Sequence, residues 1–241
     1  MSDAEVTLRA ELREDTVFVA VARPRLSWRV RTETPDWRQV RAELTDGIDT
    51  VVAEGDASVL VDWPFRPLAP GERRDVRVRV TGTDGATSLW SRPRPVVAGF
   101  LGDGEWIAEP IGLADVSAPA QPALVRTTFV LERPVRSALL FWTALGVAEP
   151  EINGTPVSDD VLSPGWTAYR DRLVHETVDV TALLTLGDNV LGATLAGAWH
   201  TEKFGFFTFT DRVYGDQPSF LAQLRVTYDD GTTETLAPTG P

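Results

Sequence analysis

Two histidines, 35 carboxylates and no cysteine make up the reactive inventory of this 241-residue chain. Without cysteine there is no disulfide, no thiolate metal site and no thiol nucleophile. A serine hydrolase needs its serine on a strained elbow, and neither His175 nor His200 is accompanied by a Gly-x-Ser-x-Gly pattern or a comparable context. Two scattered histidines also fall short of a four-ligand zinc site. Glycosidic cleavage would need two carboxyls about 5–5.5 Å apart for retention, or about 6.5–9.5 Å apart for inversion. Asp159 with Asp171 or Glu202 could meet that by chance. No such pair is flanked by the apolar walls that raise one pKa, so these residues read as solvated loop acids. Calcium asks less, since it takes roughly 6–8 oxygens from acids, amides and carbonyls. Asp159, Asp160, Asp171, Asp188, Asn189, Asp211 and Asp216 all fall on predicted loops, with Asp159 and Asp160 the candidate metal ligands. Their spacing is not that of an EF-hand, and the same residue types are turn formers.

Aromatic side chains offer a second kind of site. Trp28, Trp63, Trp90, Trp106 and Trp142 sit in apolar alternation or at domain junctions and are expected in the core. Trp166 and Trp199 differ, because they follow Gly165 and Gly197 at loop or strand-end positions. A rigid indole there serves equally as a flat platform for a sugar ring or as an anchor at an interface. His200 adjoins Trp199 and precedes the Gly- and Phe-rich stretch 204–209, which makes it a candidate ligand contact, with Asp171 as a further polar partner. His175 alternates with Val174 and reads as a surface or sheet residue.

The elements that must position these residues are short. Alternating runs at 17–20, 25–30, 40–44, 59–62, 76–80, 127–131, 138–143, 174–180, 189–195 and 221–228 predict strands. Between them lie turn pairs such as Asp46-Gly47, Pro70-Gly71, Asp84-Gly85, Gly187-Asp188 and Asp230-Gly231. Asn153-Gly154 is the clearest hairpin signal, since both residues accept positive φ, and Asn153 reads simply as a turn residue. One helical turn is expected at 180–184, capped by Asp179. Many short strands without βαβ spacing predict an all-β chain of two tandem antiparallel sandwiches. The Pro-rich stretch 91–95 leads into a boundary near 98–104, giving domains 1–100 and 101–241, with 105–108 an early edge strand of the second.

The first domain resembles a fibronectin type III/immunoglobulin-like sandwich on Pro24-Arg25-Leu26-Ser27-Trp28, Leu68-Ala69-Pro70-Gly71 and Leu89-Trp90-Ser91. Alternation turns Val76, Val78 and Val80 inward and Arg77 and Arg79 outward. Arg74 and Asp75 replace the aromatics that usually precede this strand, so no tyrosine corner forms there. The second domain is similar to the N-terminal β-sandwich of bacterial α-L-rhamnosidases, a larger jelly-roll-like carbohydrate-module sandwich. The residues that carry the similarity are Trp106-Ile107-Ala108, Glu151-Ile152-Asn153-Gly154, residues 159–167, Gly187-Asp188-Asn189-Val190-Leu191-Gly192 and Gly197-Ala198-Trp199. The resemblance implies a non-catalytic N-terminal region whose partner is a downstream catalytic barrel of the same polypeptide, with a rhamnose-containing glycan as candidate ligand; a free-standing carbohydrate-binding module and a purely structural scaffold are the alternatives. Some similar sandwiches bind rhamnose with the help of calcium; no cofactor is required here, and calcium is the candidate assisting ion.

A formal charge of −12 argues against nucleic acid as a partner, which would need excess Lys and Arg. Hydrophobic content of 43% supports full cores, yet no run reaches the roughly 18 apolar residues of a membrane span. The amino terminus carries acids where a signal peptide would carry basic residues, so a cytoplasmic location is expected, with secretion second.

Overall fold

Alternating apolar residues become strands in both halves of the chain. The computed structural model describes residues 3–14, 16–102, 104–114, 119–205 and 211–237, and its contacts divide it into Met1–Glu105 and Trp106–Pro241. Among the described residues, helix is confined to a 3₁₀ turn at Thr181–Leu183 and one four-residue helix, α1, at Ala198–Thr201.

In the first unit, β1 (Glu5–Ala10) pairs with β3 (Leu26–Arg31). The facing sheet is built from β2 (Phe18–Val19), β4 (Gln39–Thr45), β5 (Thr50–Glu54), β6 (Arg73–Gly82) and β7 (Arg94–Ala98), in the order β2-β7-β6-β4-β5. All pairings are antiparallel except β2 with β7. Val76, Val78 and Val80 are buried against Leu44, Trp28 and Trp63, as alternation requires. Trp28 fills the space between the sheets, and its indole N–H donates to Gln39 Oε1 at 2.7 Å.

The same alternation, carried back two residues, turns Arg74 inward. Its guanidinium meets Asp46 and, through Nε, Glu72 at 2.8 Å. Asp46 also closes the β4–β5 hairpin, accepting the N–H groups of Ile48 at 3.0 Å and Asp49 at 2.8 Å. An ionic knot thus occupies the place where the tyrosine corner is missing. The expected strand at 59–62 is absent. Leu60 adopts φ +51°, which breaks the extended run and leaves only a single bridge between Val61 and Leu26. Pro95 does lie in a strand, but opposite Asp75 at a point where β2 no longer pairs, so its missing N–H interrupts no ladder. Trp90 is half-buried beneath the Arg79 guanidinium, 4.7 Å from its ring centroid, rather than in the core.

The second unit is a sandwich of two four-stranded antiparallel sheets. One contains β8 (Ala123–Leu131), β10 (Val147–Ile152), β11 (Thr155–Pro156) and β13 (Gly187–Ala196), in the order β11-β10-β13-β8. The other contains β9 (Val135–Leu145), β12 (Glu176–Asp179), β16 (Ser219–Tyr228) and β17 (Thr233–Leu236), in the order β12-β9-β16-β17. A small ribbon of β14 (Lys203–Phe204) and β15 (Asp211–Arg212) stands apart from both. Leu131, Leu140, Trp142, Ile152, Leu195 and Phe220 form the core between the sheets.

The Asn153-Gly154 hairpin forms, with φ of +52° and +79°. Asn153 does more than turn the chain. Its amide donates to Leu183 O and to Asn189 Oδ1, while its own oxygen accepts Val190 N–H at 2.9 Å. Asp179 accepts Thr181 N–H at 3.0 Å, but the 3₁₀ turn covers only Thr181–Leu183 and its cap position falls on Val180 instead of Asp179. Residues 105–108 are not a strand. The N–H groups of Ile107 and Ala108 converge instead on the Gln223 side-chain oxygen, and the first true bridge comes at Ile111 with Phe220. Trp106 lies outside the inter-sheet core, edge-on to His175, which in turn contacts Phe141 on the outer face of β9.

Candidate functional site

The stretch 159–169 leaves the β10–β11 hairpin and runs back beside β10. Val157 N–H donates to Pro150 O at 3.1 Å, and Ala148 N–H donates to Ser163 O at 2.9 Å. Between those two ties the chain bows outward. Gly165, at φ +94°, then reverses it and presents Trp166, which stays 55% exposed. The segment closes on itself through Tyr169 OH to Gly165 O at 3.4 Å and Thr167 Oγ1 to Arg172 O at 2.8 Å. Arg170 reaches across to the Val213 carbonyl.

Trp199 arrives from the opposite direction, on α1. Gly197 starts this helix, and a Cβ there would collide with Thr201, whose N–H returns to the Gly197 carbonyl. The turn sets the Trp199 ring parallel to Trp166, with centroids 6.3 Å apart and planes 2° apart. Phe204 on β14 is also near-parallel to Trp166, at 5.4 Å and 12°. Tyr214 abuts Phe204 edge-on at 6.0 Å and Tyr169 at 5.1 Å. The result is one continuous wall of offset-stacked and edge-to-face rings, the geometry that aromatic quadrupoles favour.

His200 lies behind that wall rather than on it. Only 6% of it is exposed, and its ring meets Tyr169 edge-on at 5.2 Å. A Cβ on residue 215 would run into the imidazole, so Gly215 is what makes room for it. Nδ1 is buried without a hydrogen-bond partner. Burial pushes the His200 pKa below its ordinary value of 6.5, and the Gln217 carbonyl and the charge of Asp216 offset this only in part. Burial likewise raises the Tyr169 hydroxyl, with Tyr214 adding to the shift. Asp171 is exposed in the turn that follows Tyr169, its N–H donating to Ala168 O.

Asp159 and Asp160 go elsewhere. With Glu149, Glu151, Ser158 and Thr194 they border a depression of about 250 Å³ beside β10, and no residue of the aromatic wall lines it. Among the described residues no three His, Asp or Glu side chains converge as a metal site would require. Asn189, among the acids and amides considered for calcium, spends its side chain on Thr185, Gly187 and Asn153 and is a turn former. Residues 206–209 of the Phe-rich stretch lie outside the described residues. Sequence reasoning therefore brought together Trp166 and Trp199, and missed Tyr214. The only signal for it was Tyr214-Gly215, a bulky ring beside a residue with no side chain.

Comparison with known proteins bears on both units. Residues 6–102 match the profile of the Rha78A-like, N-terminal immunoglobulin domain, and residues 133–240 match that of the alpha-L-rhamnosidase N-terminal domain. The first unit is thereby placed on the immunoglobulin side of the fibronectin/immunoglobulin alternative. An alpha-L-rhamnosidase of Alteromonas sp. is 35% identical over 197 residues, covering 78% of this chain and 21% of that protein. One of Streptomyces avermitilis is 40% identical over 136 residues, covering 56% of this chain and 13% of its own. The crystal structure of the native enzyme from Aspergillus terreus superposes with a TM-score of 0.90 at 33% identity, over 99% of this chain and 30% of that one. The chain spans about a fifth of the length of the Alteromonas relative. Among the described residues no helix is long and apolar enough to cross a membrane.

Proposed function

We propose, from the match of this chain to the N-terminal immunoglobulin and β-sandwich domains of α-L-rhamnosidases, that it is an accessory region of such an enzyme whose second sandwich offers the Trp166 wall to a rhamnose-type sugar ring. The observation that carries this reading is the parallel Trp166–Trp199 pair, with Trp166 more than half exposed at a turn held by its own hydrogen bonds. Apolar ring faces stack on rigid indoles, and the surrounding carbonyls and Asp171 can accept from sugar hydroxyls. A monosaccharide offers few atoms, so the expected Kd is ~1 mM, or about −4 kcal/mol.

Calorimetric titration of L-rhamnose, with and without calcium, tests the reading on wild type, Trp166→Ala and Trp199→Ala. Binding that is lost in both variants supports it. Equal binding by Trp199→Ala would show that the wall is not the platform. The calcium arm asks whether Asp159 and Asp160 contribute. If wild type is silent at several times ~1 mM sugar, the second reading takes over: the region props a catalytic barrel on the same polypeptide and binds nothing small. That reading draws on the length of the relatives, of which this chain matches only about a fifth. Under either reading the chain alone should not hydrolyse an aryl rhamnoside.

A further inference from the structure

We infer that β8 is a self-complementary docking edge, through which two copies of this chain pair antiparallel about a two-fold axis at Thr127. β8 ends its sheet, and among the described residues nothing pairs with its outer side. Nine residues long, it carries no proline, no lysine and no inward-pointing charge, and its one charged side chain is the exposed Arg126. Beside it the sandwich is open. A groove of about 390 Å³, lined by Phe129, Leu191, Leu224 and Leu236 among others, runs between β8 and β17. On the outer face, Leu124 is 79% exposed and Val130 58%. Large apolar residues so exposed on a free strand mark an interaction surface.

The sequence of the strand selects the partner. In an antiparallel pair centred on Thr127, residues equidistant from it face each other, and Thr127 is also the midpoint of Ala123–Leu131. Leu124 then meets the second copy at Val130, Val125 meets it at Phe129, and Arg126 meets it at Thr128. Apolar faces apolar on both sides of the sheet, and the single charge faces a hydroxyl. Moving the centre by one residue to Arg126 would set two guanidiniums directly opposite each other, which is unfavourable. Moving it to Thr128 would face Arg126 with Val130 and Leu124 with Glu132. Of these three registers only the central one is consistent throughout. Such an isologous contact closes on itself and joins two four-stranded sheets into one.

Because the chain has no cysteine, single thiols report the register directly. At the two-fold, opposed Cβ atoms lie roughly 4.5–5.5 Å apart, within reach of a disulfide. Thr127→Cys should therefore form a covalent dimer on oxidation on the order of tenfold faster than Arg126→Cys, whose thiols sit diagonally. Sedimentation should show a concentration-dependent dimer for wild type. Leu124→Glu/Val130→Glu, with unchanged near-ultraviolet circular dichroism, should be monomeric. A wild type that stays monomeric at concentrations on the order of 1 mM overturns the inference. So does a dimer that persists in the double variant, or equal cross-linking at both thiol positions. Protection of β8 amides only when a longer polypeptide is present, with no dimer of this chain, would assign the edge to that polypeptide and overturn it as well.

Discussion

Arg74 and Asp46 form an ion pair inside the first sandwich, with side chains 3% and 0% exposed. Glu72 completes it on the Arg74 Nε side and ties it outward to Arg66 at 2.7 Å. One guanidinium nitrogen, Nη2, is left buried without a partner. Buried ions are stabilised by each other rather than by water, so the knot is costly to break and cheap to replace whole.

Arg74→Ala should therefore destabilise the protein by about 3–5 kcal/mol, because it strands the Asp46 carboxylate at a dry position, while Glu72 keeps Arg66. Arg74→Met combined with Asp46→Asn should cost less than the two single changes added together. The asparagine keeps the acceptor for Ile48 and Asp49 N–H groups while the charge is removed. Urea denaturation of the four proteins gives the coupling energy, and strict additivity would contradict the pairing.

Acid should attack the same place. Burial alone would raise the Asp46 carboxyl, but the Asp49 and Ile48 N–H groups and Arg74 together hold it below its ordinary 3.8. Glu72 is held below 4.5 by Ala69 N–H and the Arg74 and Arg66 guanidiniums, again against the opposing effect of burial. Both folded values lie below the unfolded ones, so the unfolded chain binds more protons in that interval. The contribution to stability is complete above about pH 4.5 and disappears as pH falls through the depressed values. Melting temperature measured against pH should drop less steeply below pH 4 in Asp46→Asn than in wild type.

Asn153 combines a left-handed backbone with three side-chain hydrogen bonds, and two substitutions separate these roles. Asn153→Gly keeps the turn and loses the bonds, for a cost of about 1–2 kcal/mol. Asn153→Ala loses the bonds and adds strain at φ +52°, so it should cost about 1 kcal/mol more. Equal losses would mean that the backbone is not held where it is described.

Gly215→Ala tests the packing of His200. The new methyl would displace the imidazole and, through Tyr169, loosen the ring wall, at about 1–3 kcal/mol. Near-ultraviolet circular dichroism should lose the signature of the Trp166–Trp199 pair. The His200 resonance in wild type should titrate below 6.5, because burial disfavours the imidazolium. Stability then declines as pH falls below 6.5 toward the folded pKa and levels off beneath it.

Strand existence was legible in the sequence wherever alternation was clean, as along Val76, Val78 and Val80 or around Asn153-Gly154. Alternation could not reveal that its own continuation lands on Arg74, since no local pattern announces that Asp46, 28 residues away, will neutralise it. β5 escaped notice because the apolar Val52 stands at an exposed position and hides the alternation. For the site, loop chemistry picked out Trp166 and Trp199, while the partition of Asp159 and Asp160 into a separate depression depends on how the chain bows between Val157 and Ser163. That bow is a tertiary fact, fixed by hydrogen bonds to β10, and it leaves no periodic trace.

Gln223 gives the opening of the second sandwich an unusual fastening. It is buried on the outer face of β16, and its amide oxygen alone receives both Ile107 and Ala108 N–H groups. A strand laid along a sheet must be unzipped rung by rung, but a segment hooked over one side chain can be unlatched in a single step. Amide exchange at Ile107 and Ala108 should then run on its own clock, insulated from the ladder that holds β16 against β9.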